Sequence, residues 1–279
     1  MFGNVIFIVW RESVEALLVI GILNAWLTQQ PDAIARRGRL YLWAGVSAGL
    51  LAAAALGAAL IWFSETLSDD AQQIYQTVIV LLAAALIIQM VFWMRSHGRT
   101  LKRELETSLS AASEKSNWWG VFVLALIAVA REGSETVVFL SGTFEAARGS
   151  GDSSAVAAAA IGLGLAIATY VVLQMGSRIL SWRTFFRITE IMLLLLAGAL
   201  LVTGLDGLIG LGIVPQLSGR LWDTSAILPD TNWLGGLASS LTGYRARPNL
   251  AQVLMLAIYW VAMIAILYRP TSPPAKRAA

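Results

Sequence analysis

The stretch 2–23, FGNVIFIVWRESVEALLVIGIL, places Arg11, Glu12 and Glu15 inside a run of apolar residues. The stretch 118–144, WWGVFVLALIAVAREGSETVVFLSGTF, repeats the arrangement with Arg131, Glu132 and Glu135. Each run is long enough to cross a hydrocarbon core of ~30 Å as a helix. A charge at the centre of a membrane helix costs about 3 kcal/mol on insertion scales, so six unpaired charges would cost roughly 15–20 kcal/mol. Pairing the charges removes most of that cost, and doing so twice implies a protein built around them.

The rest of the chain supports a membrane class. It is 57% hydrophobic and only 13% charged, with a mean hydropathy of +0.70. Both values lie far from those of a soluble domain. Apolar runs of span length cover 2–28, 40–64, 73–95, 118–145, 153–178, 186–206 and 250–268. They are continuous and rich in Leu and Ala, which favours helices over the alternating strands of a barrel. The expected fold class is an all-α polytopic membrane protein with seven transmembrane helices. Residues 1–268 form one transmembrane domain, including an external loop at 206–249, and 269–279 form a disordered cytoplasmic tail.

Basic residues orient the spans. Arg36, Arg37, Arg39, Arg95, Arg99, Lys102, Arg103, Lys115, Arg178, Arg183, Arg187, Arg269, Lys276 and Arg277 fall on one side, against Arg148, Arg220, Arg245 and Arg247 on the other. The positive-inside rule puts the N-terminus outside and the C-terminus in the cytoplasm. The pI of 9.4 thus follows from topology and does not point to nucleic acid. The first run lacks a basic leader and is interrupted by charge, unlike a cleaved signal peptide. The absence of cysteine excludes disulfides, thiolate metal sites and haem-attachment motifs. No Gly-Lys-Ser/Thr phosphate loop is present.

Three spans separate equivalent positions of the two motifs, so the first and fourth helices run in opposite directions. That is the pattern of an inverted repeat of three plus three helices with one added at the C-terminus. Arg11 and Glu135 each lie about nine or ten residues from the outer end of their runs, or ~14–15 Å, near the midplane. On a helix, Arg11, Glu12 and Glu15 share a face by i,i+3 and i,i+4 spacing, as do Arg131, Glu132 and Glu135. If the faces meet, four carboxylates outnumber two guanidiniums, a set that a hard cation completes. A structural ion-pair knot fastening the two helices is the plainer alternative. The excess of carboxylate argues against it.

These residues resemble the oxidase-dependent iron permease family, which includes the fungal high-affinity iron permease and the bacterial Efe-type iron uptake permease. Its signature, Arg-Glu-Gly-x-Glu in the first and fourth helices, is matched in full by REGSE at 131–135. RESVE at 11–15 departs from it, with Ser13 in the glycine place. The stretch LWDTSAILPD followed by GYRARPNL is similar to the segment bacterial members carry before their last helix. The resemblance runs from Arg11 to about residue 267. It implies an iron permease and not an enzyme, with Glu12, Glu15, Glu132 and Glu135 as ligands and Arg11 and Arg131 as their organisers. Iron is the substrate, no cofactor is held permanently, and the location is the bacterial inner membrane. The implied external partners are a haem peroxidase with a periplasmic iron-binding protein, or a copper oxidase.

Other positions carry weaker expectations. Ser13, Ser134, Glu190 and Asp223 are possible secondary site residues. A local bridge to Arg187 is the plainer reading of Glu190, and a turn or cap that of Asp223. Glu65, Asp69, Asp70, Glu145 and Asp152 make the outer loops acidic. Gly45, Gly49, Gly162 and Gly164 read as close helix packing. Trp26, Trp43, Trp62, Trp93, Trp118, Trp119 and Trp260 read as interfacial belts, and Met90, Met94, Met175, Met192, Met255 and Met263 as lipid-facing or packing residues. LIGLGIVPQL and WLGGLASSL are too short to span and suit an interfacial or re-entrant position over the outer mouth. A donor set made only of oxygen favours ferric over ferrous ion. A permease for manganese or lead, an intramembrane enzyme and a structural membrane subunit are the competing classes. The enzyme lacks a nucleophile–base pair or a cofactor fingerprint.

Overall fold

A computed structural model describes residues 2–97, 118–146, 153–175, 182–230 and 232–267. The tail 269–279 and much of the basic loop sequence, including Arg99, Lys102, Arg103, Lys115 and Arg178, lie outside the described residues, as does Asp152. Among the described residues the chain forms eight helices: α1 (Phe2–Thr28), α2 (Asp32–Glu65), α3 (Asp69–His97), α4 (Trp118–Ala146), α5 (Ser153–Gln174), α6 (Trp182–Gly210), α7 (Trp233–Thr242) and α8 (Leu250–Leu267). No strand is described; Arg220 and Asn249 make one isolated antiparallel bridge.

Five helices, α2, α3, α5, α6 and α8, are long and apolar enough to cross a membrane. The chain is a multi-pass helical membrane protein. The helices α1 and α4 are as long, at 27 and 29 residues, but each holds three motif charges. Several helices overrun the expected spans. The helix α2 begins at Asp32, not residue 40, because its first turns carry Asp32, Arg36, Arg37 and Arg39 beyond any apolar window. The helix α6 runs to Gly210, so the expected external loop loses its first residues to it. The turn that follows contains Gly212, whose φ of 71° reverses the chain.

Small residues set the packing. A Cβ on Gly49 of α2 would lie 2.9 Å from Val129 Cβ, 3.0 Å from Ala130 N and 3.1 Å from Leu126 O of α4. A Cβ on Gly162 of α5 would lie 3.0 Å from Val9 Cβ, 3.2 Å from Trp10 N and 2.8 Å from Ile6 O of α1. The α4 positions are each 120 residues after their α1 counterparts: Ile6 and Leu126, Val9 and Val129, Trp10 and Ala130. One helix–helix contact is therefore built twice, each time on the turn before a motif. Gly45 makes a further close approach to α4, against Phe122 O and Ala125 Cβ, whereas Gly164 faces open space.

The helix α6 is the most enclosed span, and α2, α5 and α8 expose most of their apolar surface, as lipid-facing helices do. The core joins Phe7 and Ile8 of α1, Ala83 to Val91 of α3, Phe139 of α4 and Leu193 to Leu200 of α6. The WLGGLASSL segment folds as the short helix α7, closed by Gly243 at φ 73° with its N–H donating to Ser239 O. Buried Asn4 of α1 donates through Nδ2 to Ser240 O at 3.1 Å, which fixes α7 against the first turns of α1.

Candidate metal-ion site

Both motifs lie in unbroken helix, so their charges project at helical spacing toward the α1–α4 contact. Arg11 is fully buried and Glu12 is 1% exposed. The Arg11 terminal nitrogens form ion pairs with Glu12 Oε1, at 2.6 Å, and with Glu15 Oε1. The same nitrogens donate to Met90 Sδ at 3.1 Å and Met94 Sδ at 2.9 Å on α3. These two methionines are therefore hydrogen-bond acceptors of the motif, a correction to their reading as lipid-facing or packing residues.

The second motif is more open. Arg131 Nε donates to Glu135 Oε1 at 3.0 Å and lies 4.0 Å from Glu132 Oε1, with the Arg131 side chain 37% exposed. Its guanidinium carbon sits 4.0 Å from the ring centroid of Trp93. Trp93 therefore faces the motif rather than serving in a membrane-interface belt.

Glu12, Glu132 and Glu135 each bring a carboxylate oxygen within 4.8 Å of the others. Glu15, one turn along α1 from Glu12, pairs with Arg11 and is not one of this trio. Glu12 Oε2, Glu132 Oε2 and Glu135 Oε2 are buried and have no hydrogen-bond partner among the described residues. The Arg11 terminal nitrogens are committed to two carboxylates and two sulfurs, while its Nε has no partner among the described residues. Three converging carboxylates, each with an uncommitted oxygen, suit a hard cation and repel one another without one.

The secondary residues fall elsewhere. Ser134 Oγ donates to the Arg131 carbonyl of its own helix at 2.8 Å, and Ser13 is partly buried outside the carboxylate trio. Glu190 pairs with Arg95 Nε of α3 at 2.6 Å, not with Arg187 one turn away. Packing of α3 on α6 supplies the closer partner, and Arg95 also donates to Leu267 O of α8 at 3.1 Å. Asp223 is an exposed turn residue: Oδ1 accepts from Ser225 N at 2.9 Å and Ser225 Oγ at 2.5 Å, and Oδ2 from Arg247 at 2.9 Å. The Ser225 hydrogen bonds hold its carboxyl below the usual range, with Arg247 adding to the effect.

Two polar features escape a reading of the sequence alone. Asp206 near the C-terminal end of α6 accepts from Gln252 Nε2 at 2.6 Å and from Arg245 at 3.4 Å, tying α8 and the α7 connection to α6. Glu65 and Glu145 line a groove of about 470 Å³ with Tyr75, Ser64 and Ser141 at the ends of α2 and α4. Neither has a local sequence motif, because its members come from different helices.

A helical membrane protein with buried, converging carboxylates is the class of a cation permease. The chain matches the model of the iron permease FTR1 family over residues 1–271, and it belongs to that family. It is 30% identical over 271 residues to the ferrous iron permease EfeU of Escherichia coli O6:H1, covering 94% of each chain. It is 29% identical over 274 residues to EfeU of Shigella sonnei, covering 96% of this chain and 94% of the other. To EfeU of Yersinia pestis it is 27% identical over 270 residues, covering 94% of this chain and 92% of that relative. No solved structure matches. The family is one of permeases, which are transporters and not enzymes.

Proposed function

We propose that the chain imports iron ions across the bacterial inner membrane through one site built from both motifs. The observation that carries this reading is the meeting of Glu12 with Glu132 and Glu135, three buried carboxylates from two helices with uncommitted oxygens. In this reading Glu15 is the fourth ligand, and Arg11 and Arg131 organise the set. The arginines offset part of the negative charge and orient the carboxylates they pair with, leaving a net attraction for the ion.

The topology of this reading has seven spans, with α1 and α4 crossing because their charges are paired inside the bundle. The duplicated glycine contact at Gly49 and Gly162 supports an inverted repeat of α1–α3 against α4–α6, with α8 added. The N-terminus is outside and the C-terminus in the cytoplasm. Residues 1–268 act as one permease domain, with the tail 269–279 outside the membrane.

For oxidation state we favour ferric ion at the site. The carboxylates are hard donors, and the nearby thioethers are occupied by Arg11. The relatives' names specify ferrous iron. Both hold if ferrous iron is oxidised outside by a haem peroxidase or copper oxidase, with a periplasmic iron-binding protein delivering it over α7. Uptake of labelled iron into proteoliposomes containing the purified chain tests the permease. Whole cells with a strong ferrous chelator, with and without the oxidising partner, test the ion. Uptake that needs no partner and is blocked completely by the chelator would overturn the ferric reading.

A further inference from the structure

We propose that Met90, Trp93 and Met94 of α3 are positioning residues for the carboxylate site, acting on it through the two motif arginines. The inference rests on the iron-permease reading. The three side chains stand at i, i+3 and i+4 on one face of α3. Arg11 donates to the sulfurs of Met90 and Met94 at 3.1 and 2.9 Å, and Arg131 stacks on Trp93 at 4.0 Å. A single turn of a third helix therefore holds both arginines.

The chemistry explains why these residue types serve. A guanidinium carries five N–H donors in a plane, and a fully buried one needs acceptors around its edge. Glu12 accepts a hydrogen bond from one terminal nitrogen of Arg11, and Glu15 forms an ion pair with the other. A further carboxylate there would add buried negative charge and compete with Glu12 and Glu15 for Arg11. Thioether sulfur accepts a hydrogen bond while adding no charge and little desolvation cost. The indole face does the equivalent for Arg131: it attracts the cation from above and leaves the in-plane donors to Glu135 and Glu132. Each arginine thus has an uncharged partner on α3 beside its carboxylates, and Glu12, Glu132 and Glu135 converge while each keeps a buried oxygen without a partner.

The test is a set of variants in proteoliposomes, read as KM and maximal rate for iron. Leu keeps the volume of Met and removes the acceptor. The Met90→Leu, Met94→Leu double variant is expected to raise KM about tenfold, the effect of losing both thioether hydrogen bonds to a charged group, each weaker than one to oxygen. Abundance and thermal unfolding in detergent should stay near wild type. Gln at both positions, which restores an oxygen acceptor at similar length, should recover most of the affinity. Trp93→Phe, which keeps an aromatic face, should transport better than Trp93→Leu. X-ray absorption of bound iron should contain no sulfur neighbour. An unchanged KM in the double Leu variant would overturn the proposal, and so would a sulfur shell around iron, which would make the thioethers ligands. In both cases wild-type uptake still supports the permease, whereas wild-type liposomes that accumulate no iron would sink both readings.

Discussion

RESVE and REGSE carry the same charges at the same spacing, yet the structure treats them differently. Arg11 is sealed from solvent and held by two carboxylates and two thioethers. Arg131 is 37% exposed and held by Glu135 and an indole face. The glycine place differs in the same sense. A Cβ on Gly133 would come within 2.5 Å of Ala53 Cβ, so α2 presses directly on the second motif. Ser13 occupies the equivalent position of α1, so a side chain is accommodated there. One motif is fixed by enclosing its arginine, the other by close backbone packing beside an arginine that stays accessible. A sequence repeat therefore need not make two equal half-sites: the first motif anchors the site and the second keeps contact with the surroundings.

The largest effect should come from the shared carboxylates. Replacing Glu12, Glu132 or Glu135 by Ala should reduce iron uptake in proteoliposomes to background while the protein still inserts. Each loss removes a hard oxygen ligand, and Glu12→Ala also strips a buried partner from Arg11. Retained uptake after emptying one motif would mean that the motifs work separately.

Next come the arginines, where the asymmetry predicts a ranking. Arg11→Lys cannot reach two carboxylates and two sulfurs with one ammonium, and should cut uptake roughly a hundredfold. Arg131→Lys keeps a cation near Glu135 in a more solvated place and should cost about tenfold. The reverse order would break the distinction between anchor and open half.

A smaller effect, on stability, is expected at the glycine place. Gly133→Ala forces α2 and α4 apart and should cost about 1–3 kcal/mol, read as a lower unfolding temperature in detergent. Adding Ala53→Gly should restore most of it. Ser13→Gly should change the unfolding temperature little. The smallest effects belong to the partly exposed ion pairs. Glu190→Gln removes the pair with Arg95, which is 45% exposed, and should cost under about 1 kcal/mol of stability.

Much of this architecture is legible in the amino-acid order. Charges inside apolar runs have few structural solutions, so RESVE and REGSE identify both the membrane class and the residues that converge. Gly45, Gly49 and Gly162 read as packing residues because close helix contact in lipid needs small side chains. Helix ends were harder to place, since α2 and α6 continue past the apolar window and hydropathy is blind to such turns. The role of α3 was not legible at all. Met90, Trp93 and Met94 are apolar residues in an apolar span, and only tertiary contact separates a sulfur facing lipid from one accepting a bond from Arg11. The i, i+3, i+4 spacing was available as a clue, but many packing faces share it. The Arg95–Glu190 pair escaped for the same reason: Arg187 is nearer in sequence, but Arg95 is nearer in the fold.

The central claim is that the two motifs make one iron site. The most direct test is equilibrium binding of iron to the purified chain, counted per molecule for wild type, Glu12→Ala and the double variant Glu132→Ala, Glu135→Ala. A single shared site binds one high-affinity ion in the wild type and none in either variant. Two ions in the wild type, with one surviving when either motif is emptied, would contradict it.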